Sequence, residues 1–463
     1  MGKTFRSYDM NQQLLLPPDL RQWLRPDHLA LYVSDVVEAL DLSGILKVYE
    51  EGDGRGRPPY HPVLMVKLLI YGYCIGKMSS RKIEQATHDD VAFRVLSCNQ
   101  QPDHDSIAEF RKRHLPELAK LFVQVLELCQ RAGLVKLGHV AIDGTKIKAN
   151  ASKWQTMSYA RMTEAEQELA AEVERLLAAA QRVDDEEDKL YGQGQRGDEL
   201  PADLRNRESR LARIRELKAD MEREAREAAE KKAEAAKQRN KEHAQKEQES
   251  GQKFRGRPAR VIDPEQVIPA GKTKRNFTDP DSRIMKDHGT KTFQQAYNIQ
   301  IGVDAQAQII VAAKVVQAGV DQEQLVPLLR EVEKNLGRLP NQVSADAGYY
   351  SRAAITHQSV RDVDLHVPPN QRKPLDWGPE VALPENATLQ ERMWHKLGSK
   401  AGREVFSKRK VIVEPVFAQV KHVRGFRQFL LRGLAQVEAE WLLVCMTHNL
   451  MKMFRATKQL QMA

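Results

Sequence analysis

Only four cysteines, Cys74, Cys98, Cys129 and Cys445, are spread over 463 residues, and no two of them form a C-x2-C pair. That scatter argues against a zinc site or a disulfide framework and fits a reducing compartment. The 13 histidines offer no spaced cluster for zinc either. A nucleotide-binding glycine loop is absent, so no ATP is implied. No apolar run reaches the ~18 residues of a membrane-crossing helix. Met1 to Met10 (MGKTFRSYDM) lacks a signal-peptide core. The expectation is a cytoplasmic protein without a membrane partner.

What is present is length and positive charge. The chain is long enough for two or three domains and a sizeable core. Lysine and arginine number 72 against 63 acids, a net charge of +9, which favours a polyanionic partner. One stretch concentrates the chemistry: Lys408 to Gly425, KRKVIVEPVFAQVKHVRG. Val411 to Val413 read as an apolar run, and Glu414-Pro415 as the start of a helix with proline near its first position. Lys421 lies seven residues on, two helical turns, and so projects from roughly the same face as Glu414. The plainer alternative is that Glu414 complements a helix dipole and Lys421 is solvated.

Two further stretches bear on that choice. HVAIDGTKIKA (His139 to Ala149) and QVSADAGYYS (Gln342 to Ser351) each end a strand-like run in an aspartate, Asp143 and Asp346. Three carboxylates, two at strand ends and one at a helix start, suit hard cations such as Mg²⁺, and two-metal sites combine such acids with substrate phosphate.

With these motifs the chain resembles the DDE transposases of bacterial insertion sequences. Further stretches carry the likeness: PPYHPVLMVKLLIYGYCIG (Pro58 to Gly76), SSRKIEQATHDDVAFRVL (Ser79 to Leu96), PDHDSIAEFRKRH (Pro102 to His114), and TDPDSRIMKDHGTKTFQQAYNIQIGVDAQAQIIVA (Thr278 to Ala312). The resemblance implies a ribonuclease-H-like core in which Asp143, Asp346 and Glu414 are catalytic and hold two Mg²⁺ ions, with Mn²⁺ able to substitute. It further implies double-stranded DNA partners, namely element terminal inverted repeats and target DNA, a homodimer in the synaptic complex, and action at the nucleoid. In a Y-x2-R-x3-E-x6-K signature this chain keeps Glu414 and Lys421 but has Ser407 for tyrosine and Lys410 for arginine. Lysine keeps the charge without the bidentate fork. Phe406 and Arg409 lie one residue off and are candidate substitutes. The DNA-contacting residues the resemblance leads one to expect are Lys421, Lys410, Arg409, Arg424, Arg81, Lys82 and Arg111.

Taken in order, Leu29 to Val48 is an amphipathic stretch, and Gly52 to Pro59 a loop. Val63, Val66, Leu69, Ile70 and Tyr73 recur at helical spacing from Pro62 to Gly76. Ser79 or Ser80 caps a second helix, and Asp105 or Ser106 a third that ends near His114. Glu117 to Leu134 is a further helix. Residues 1–135 are thus expected to be helical; the resemblance implies that they are the DNA-binding domain, with a helical packing or dimerisation module as the alternative. Met157 to Gly251 is rich in Ala, Glu, Lys, Arg and Gln. Leu169, Val173, Leu176, Ala180 and Val183, then Leu211, Ile214, Met221, Ala225 and Ala228, step by three and four, broken by Lys218. That pattern predicts an antiparallel hairpin of two long helices, turning at Tyr191 to Pro201 and inserted into the catalytic core. It serves dimerisation, reach along DNA, or simple spacing.

Lys253 to Arg260 falls in a basic linker (252–269), either a solvated tether or a DNA contact. The core covers 136–156 and 270–463. It has strands at Tyr297 to Val303 and Gln308 to Val316, a helix from Gln322 to Leu336, the Asp346 strand, a strand at Val363 to Val367, and a closing helix from Trp441 to Met453 whose His448 and Asn449 are core or capping residues. The class is mixed, α+β. The function implied is metal-dependent hydrolysis at insertion-sequence ends followed by 3′-hydroxyl strand transfer. The alternatives are a catalytically impaired or non-catalytic DNA-binding relative, and a nuclease of the same fold without strand transfer.

Overall fold

Capping residues decide where the first helices begin in this computed structural model, which describes residues 19–50, 58–191, 202–250, 257–287, 291–370 and 383–462. The stretch from Leu29 to Val48 is two helices, α1 (Leu29–Ala39) and α2 (Ser43–Glu50), because Asp41 turns its carboxylate onto the Ser43 N–H at 2.9 Å between them. His61 and Pro62 open α3 (Pro62–Ile75), buried along most of its length, and Gly76 ends it at φ 83°. A Cβ on Gly76 would lie 2.7 Å from the Arg424 carbonyl oxygen. Ser79 caps α4 (Ser80–Asp89) as expected, accepting from the Lys82 N–H at 3.2 Å, and α5 (Val91–Leu96) follows.

The third helix starts earlier and runs further than its sequence suggests. Asp103 caps α6 (His104–Arg131), accepting from the Ser106 N–H at 2.8 Å. The helix continues through Pro116, which forgoes one backbone bond. Ile107, Phe110, Leu118, Leu121, Phe122 and Val125 keep one buried face on both sides of it. The strand β1 (His139–Lys148) comes next.

The chain forms two compact units, Met1–Ile147 with Asn298–Ala463, and Lys148–Tyr297. In the second, β2 (Thr156–Ser158) leads into α7 (Tyr159–Tyr191) and α8 (Ala202–Ser250). Met162 packs with Ile214, Leu217 and Met221, and Val173 with Leu211, which makes the pair antiparallel. Lys218 does not interrupt the seam; it pairs with Glu166 at 2.9 Å, beside Arg215 at 3.1 Å. The expected turn falls on residues 192–201, outside the described ones, as do 52–57 of the Gly52 loop and the side chains of Ala180 and Val183.

Beyond Met221 the buried face of α8 passes to Ala229, Ala233 and Ala236. The described part of the basic linker lies along that helix rather than free of it. The Asn240 amide holds Ala259 by both backbone groups, at 2.8 and 2.9 Å, and Arg226 meets Glu265 at 3.4 Å. Residues 251–256 of that linker are outside the described ones. β3 (Lys274–Asn276) pairs antiparallel with β2, and β4 (Arg283–Lys286) with Phe293–Ala296.

In the first unit, β5 (Phe293–Asp304, from Asn298 on) pairs antiparallel with β6 (Ile309–Val316), bulged at Gly302/Val303. α9 (Leu325–Leu336) leads to β7 (Gln342–Ser344); α10 (Arg352–Ile355) and β8 (Asp364–His366) follow. The order across the sheet is β6-β5-β1-β7-β8, with β1, β7 and β8 parallel. The result is a mixed sheet in a helix-rich chain, the α+β class expected. α11 (Leu389–Gly398), α12 (Lys400–Ala418) and α13 (Leu434–Met462) complete the unit. His448 and Asn449 on α13 are buried. Asn449 holds the Ile310 backbone at 2.8 and 2.9 Å, and the His448 ring meets the Gln308 carbonyl at 3.0 Å. No single helix among the described residues is long and apolar enough to cross a membrane.

Candidate active site

The parallel register of β1 and β7 sets the site. Ala141 faces Ser344 across the pair, so two residues on, Asp143, in the middle of β1 rather than at the strand end expected, comes level with Asp346, just past the end of β7. Asp143 accepts from the Gly144 N–H at 2.9 Å and from Arg409 Nη1 at 3.0 Å. Burial pushes its carboxyl up to about 6, and the nearby charge of Asp346 adds to that; Arg409 and the Gly144 N–H oppose it. Asp346 caps the turn Ala347–Tyr349 and accepts from the Gly348 N–H at 2.9 Å.

Glu414 is where the sequence misleads. It stands well inside one continuous helix, α12, rather than at a helix start, and its side chain is exposed. The true cap is Ser399, accepting from the Gly402 N–H at 3.0 Å. Pro415 is inside α12 and cannot donate to the Val411 carbonyl, which instead accepts from Gln308 Nε2 at 2.8 Å. Of the apolar run Val411 to Val413, Ile412 and Val413 join Val416 on the buried helix face, and Val411 is exposed.

Arg409 and Glu414 are five residues apart, so they point ~140° from each other around the helix. The helix thus gives Asp143 an arginine and turns Glu414 elsewhere. Among the described residues, no group of three or more His, Cys, Asp or Glu side chains is gathered so as to hold a metal ion.

The single-turn π-helix after α12, Gln419–Val423, brings Lys421 back to β1. Its Nζ donates to the Thr145 hydroxyl and, at 3.1 Å, to the Lys146 carbonyl, two and three residues past Asp143. The arginine that reaches the site is therefore Arg409, one residue from the motif position. Lys410 and Ser407 are exposed, and the Ser407 hydroxyl is turned back onto the Glu404 carbonyl at 2.9 Å.

The remaining cations divide by burial. Arg81 and Lys82 lie exposed in the first turn of α4. Arg111 and Arg424 do not belong with them. Arg111 is 6% exposed and donates to the Met78 carbonyl at 3.0 Å and Tyr73 Oη at 3.4 Å. Arg424 is 8% exposed and donates to Thr447 Oγ1 at 2.7 Å and the Val444 carbonyl at 3.2 Å; burial brings its guanidinium down to about 10. Both are internal braces, so neither presents its charge to DNA.

Sequence reasoning missed Asn298, Gln300, Asp321 and Tyr349, which lie next to the aspartate pair. Its only trace was two polar residues at alternate positions of an apolar strand, in YNIQIGVD (Tyr297 to Asp304). As a cation site, the aspartate pair has the right chemistry. Both donors are carboxylates, and Asp143 is desolvated beside a second negative charge, a repulsion that a hard divalent cation relieves.

Two family models match the chain. Residues 18–113 match one described as Transposase domain (DUF772), and residues 254–450 one described as Transposase DDE domain. The second range contains Asp346, Glu414 and Lys421 and leaves Asp143 outside. No curated protein and no solved structure matches.

Proposed function

We propose, for a chain that belongs to the DDE transposases of insertion-sequence type, that it hydrolyses phosphodiesters at the ends of its element and transfers the freed 3′-hydroxyl into target DNA. The observation that carries this reading is the β1/β7 register, which levels Asp143 with Asp346 in a ribonuclease-H-like strand order. Asp143 and Asp346, with Glu414 as the third acid of the matching motif, would hold Mg²⁺ or Mn²⁺. A bound pair of such ions activates the attacking oxygen and stabilises the leaving one.

The chain's own cations act on the phosphate. Lys421, fixed against β1, places an ammonium beside the scissile group, and Arg409 offsets the Asp143 charge until substrate and cation enter. Arg81, Lys82 and Lys410, all exposed, supply backbone contacts whose affinity falls with salt. On this reading residues 18–113 bind the terminal repeats, the α7/α8 hairpin pairs two copies in the synaptic complex, and the protein works in the cytoplasm at the nucleoid.

One observation favours a second reading, an impaired DNA-binding relative: Glu414 stands apart from the two aspartates, in a motif that also carries Ser407 and Lys410. The test is a labelled duplex bearing the element end, incubated with the protein and a target plasmid in Mg²⁺, in Mn²⁺ and in EDTA. Metal-dependent nicks and joined products support transposition. Nicks without joined products identify a nuclease, and binding without either favours the second reading.

A further inference from the structure

Buried polar side chains beside the aspartate pair form a chain that no step above uses. Asn298 and Gln300, 1% and 0% exposed, both donate to Asp321 Oδ1, from Nδ2 at 2.7 Å and from Nε2 at 2.6 Å. The buried Tyr349 hydroxyl donates in turn to Gln300 Oε1. Each end of this chain packs beside a glycine next to a site acid. A Cβ on Gly144, the residue after Asp143, would lie 3.0 Å from Tyr349 Oη and closer still to the Gln300 amide. A Cβ on Gly348, whose N–H holds Asp346, would lie 3.0 Å from Asp346 Oδ1 and 3.7 Å from Asp321 Oδ2. Tyr349 itself ends the turn that Asp346 caps.

We infer that Asp321 is a positioning residue: by orienting the Gln300 amide, and through it Tyr349, it fixes Asp143 and Asp346 at the spacing that accepts a divalent cation. Two amide donors on one Asp321 oxygen leave Gln300 only one orientation, with its carbonyl towards Tyr349. The Tyr349 proton is then committed to Gln300, and the turn bearing Asp346 is tied to β5, with Gly144 leaving the room that both side chains fill. Losing a neighbour that orients a metal ligand in this way typically costs about 10- to 100-fold in metal affinity. The inference rests on the reading of the aspartate pair as a metal-dependent centre.

The test is Mn²⁺ binding to the full chain, followed by electron paramagnetic resonance, with melting in EDTA as a check that each variant folds. Asp143→Asn should lose binding. Asp321→Ala and Gln300→Leu should weaken it about 10- to 100-fold, whereas Asp321→Asn, which keeps the Oδ1 acceptor, should stay within about threefold of wild type. Gln300→Leu carries the test if Asp321→Ala does not fold.

Wild-type affinity in folded Asp321→Ala and Gln300→Leu would overturn the inference. Asp321→Asn as weak as Asp143→Asn would overturn it too, by making Asp321 a ligand. Absence of Mn²⁺ binding in the wild type would defeat the metal-centre reading itself and the inference with it; the first two results leave that reading standing.

Discussion

Replacing Asp143 with asparagine should stabilise the metal-free protein while removing its chemistry. Asp143 ionises at about 6 in the fold against an ordinary 3.8, so the folded state holds its proton more tightly than the unfolded one. The sign follows: the raised carboxyl costs nothing below 3.8, and stability falls as pH rises from there to about 6, after which the cost is constant. A carboxyl raised that far costs the ionised fold about 3 kcal/mol, an upper figure for a side chain that keeps 20% of its exposure. At about pH 8 in EDTA, Asp143→Asn should therefore melt a few degrees higher than wild type, with the gap closing at about pH 4. Mg²⁺ should raise the wild-type melting temperature and leave the variant unmoved. A variant that melts at or below the wild type at the higher pH, or a gap that ignores pH, would refute the argument that Asp143 is a desolvated charge awaiting a cation.

Other outcomes follow from burial. Arg81→Ala with Lys82→Ala should weaken DNA binding and reduce its salt dependence without changing the urea midpoint, while Arg111→Ala or Arg424→Ala should each cost about 1–3 kcal/mol of stability by leaving buried partners unpaired, and so lower the midpoint. The opposite assignment in gel-shift and urea titrations would return the two internal arginines to the DNA surface. His448 is held neutral by burial, its ring brought down to about 3 from 6.5. The unfolded chain takes up that proton first, so stability should drop as pH falls below 6.5, by about 1.4 kcal/mol per pH unit. A His448→Gln protein should lose that part of the acid sensitivity, and an unchanged pH dependence would count against a neutral buried ring.

The parts of the fold visible in the sequence are those set by local pattern. The apolar runs before Asp143 and Asp346, the β5/β6 hairpin, the Gly76 helix end and the Ser79 cap all depend on neighbours within a few residues, although β1 does not end at Asp143 as expected but runs on to Lys148. The misreadings depend on partners far along the chain. Val411 to Pro415 looks like a strand followed by a helix start, because nothing local shows that Gln308, 103 residues away, takes the carbonyl that Pro415 leaves open. Arg409 and Lys410 differ by one position, and only the rotation of α12 decides which meets Asp143. Arg111 and Arg424 read as basic surface because burial by α3 and α13 is not written beside them. Lys218 looked like a flaw in the hairpin seam until Glu166 from the facing helix met it. The Asp321–Gln300–Tyr349 chain joins three separate segments, a linkage no spacing rule reveals.

The most direct test of the carboxylate centre is one Mg²⁺ cleavage experiment on a labelled element end, comparing wild type with Asp143→Asn, Asp346→Asn and Glu414→Gln beside a gel shift of the same proteins. A nick at the element boundary should come from wild type alone, with DNA binding kept in all three variants. Full cleavage by Asp143→Asn or Asp346→Asn would contradict the carboxylate-centre reading.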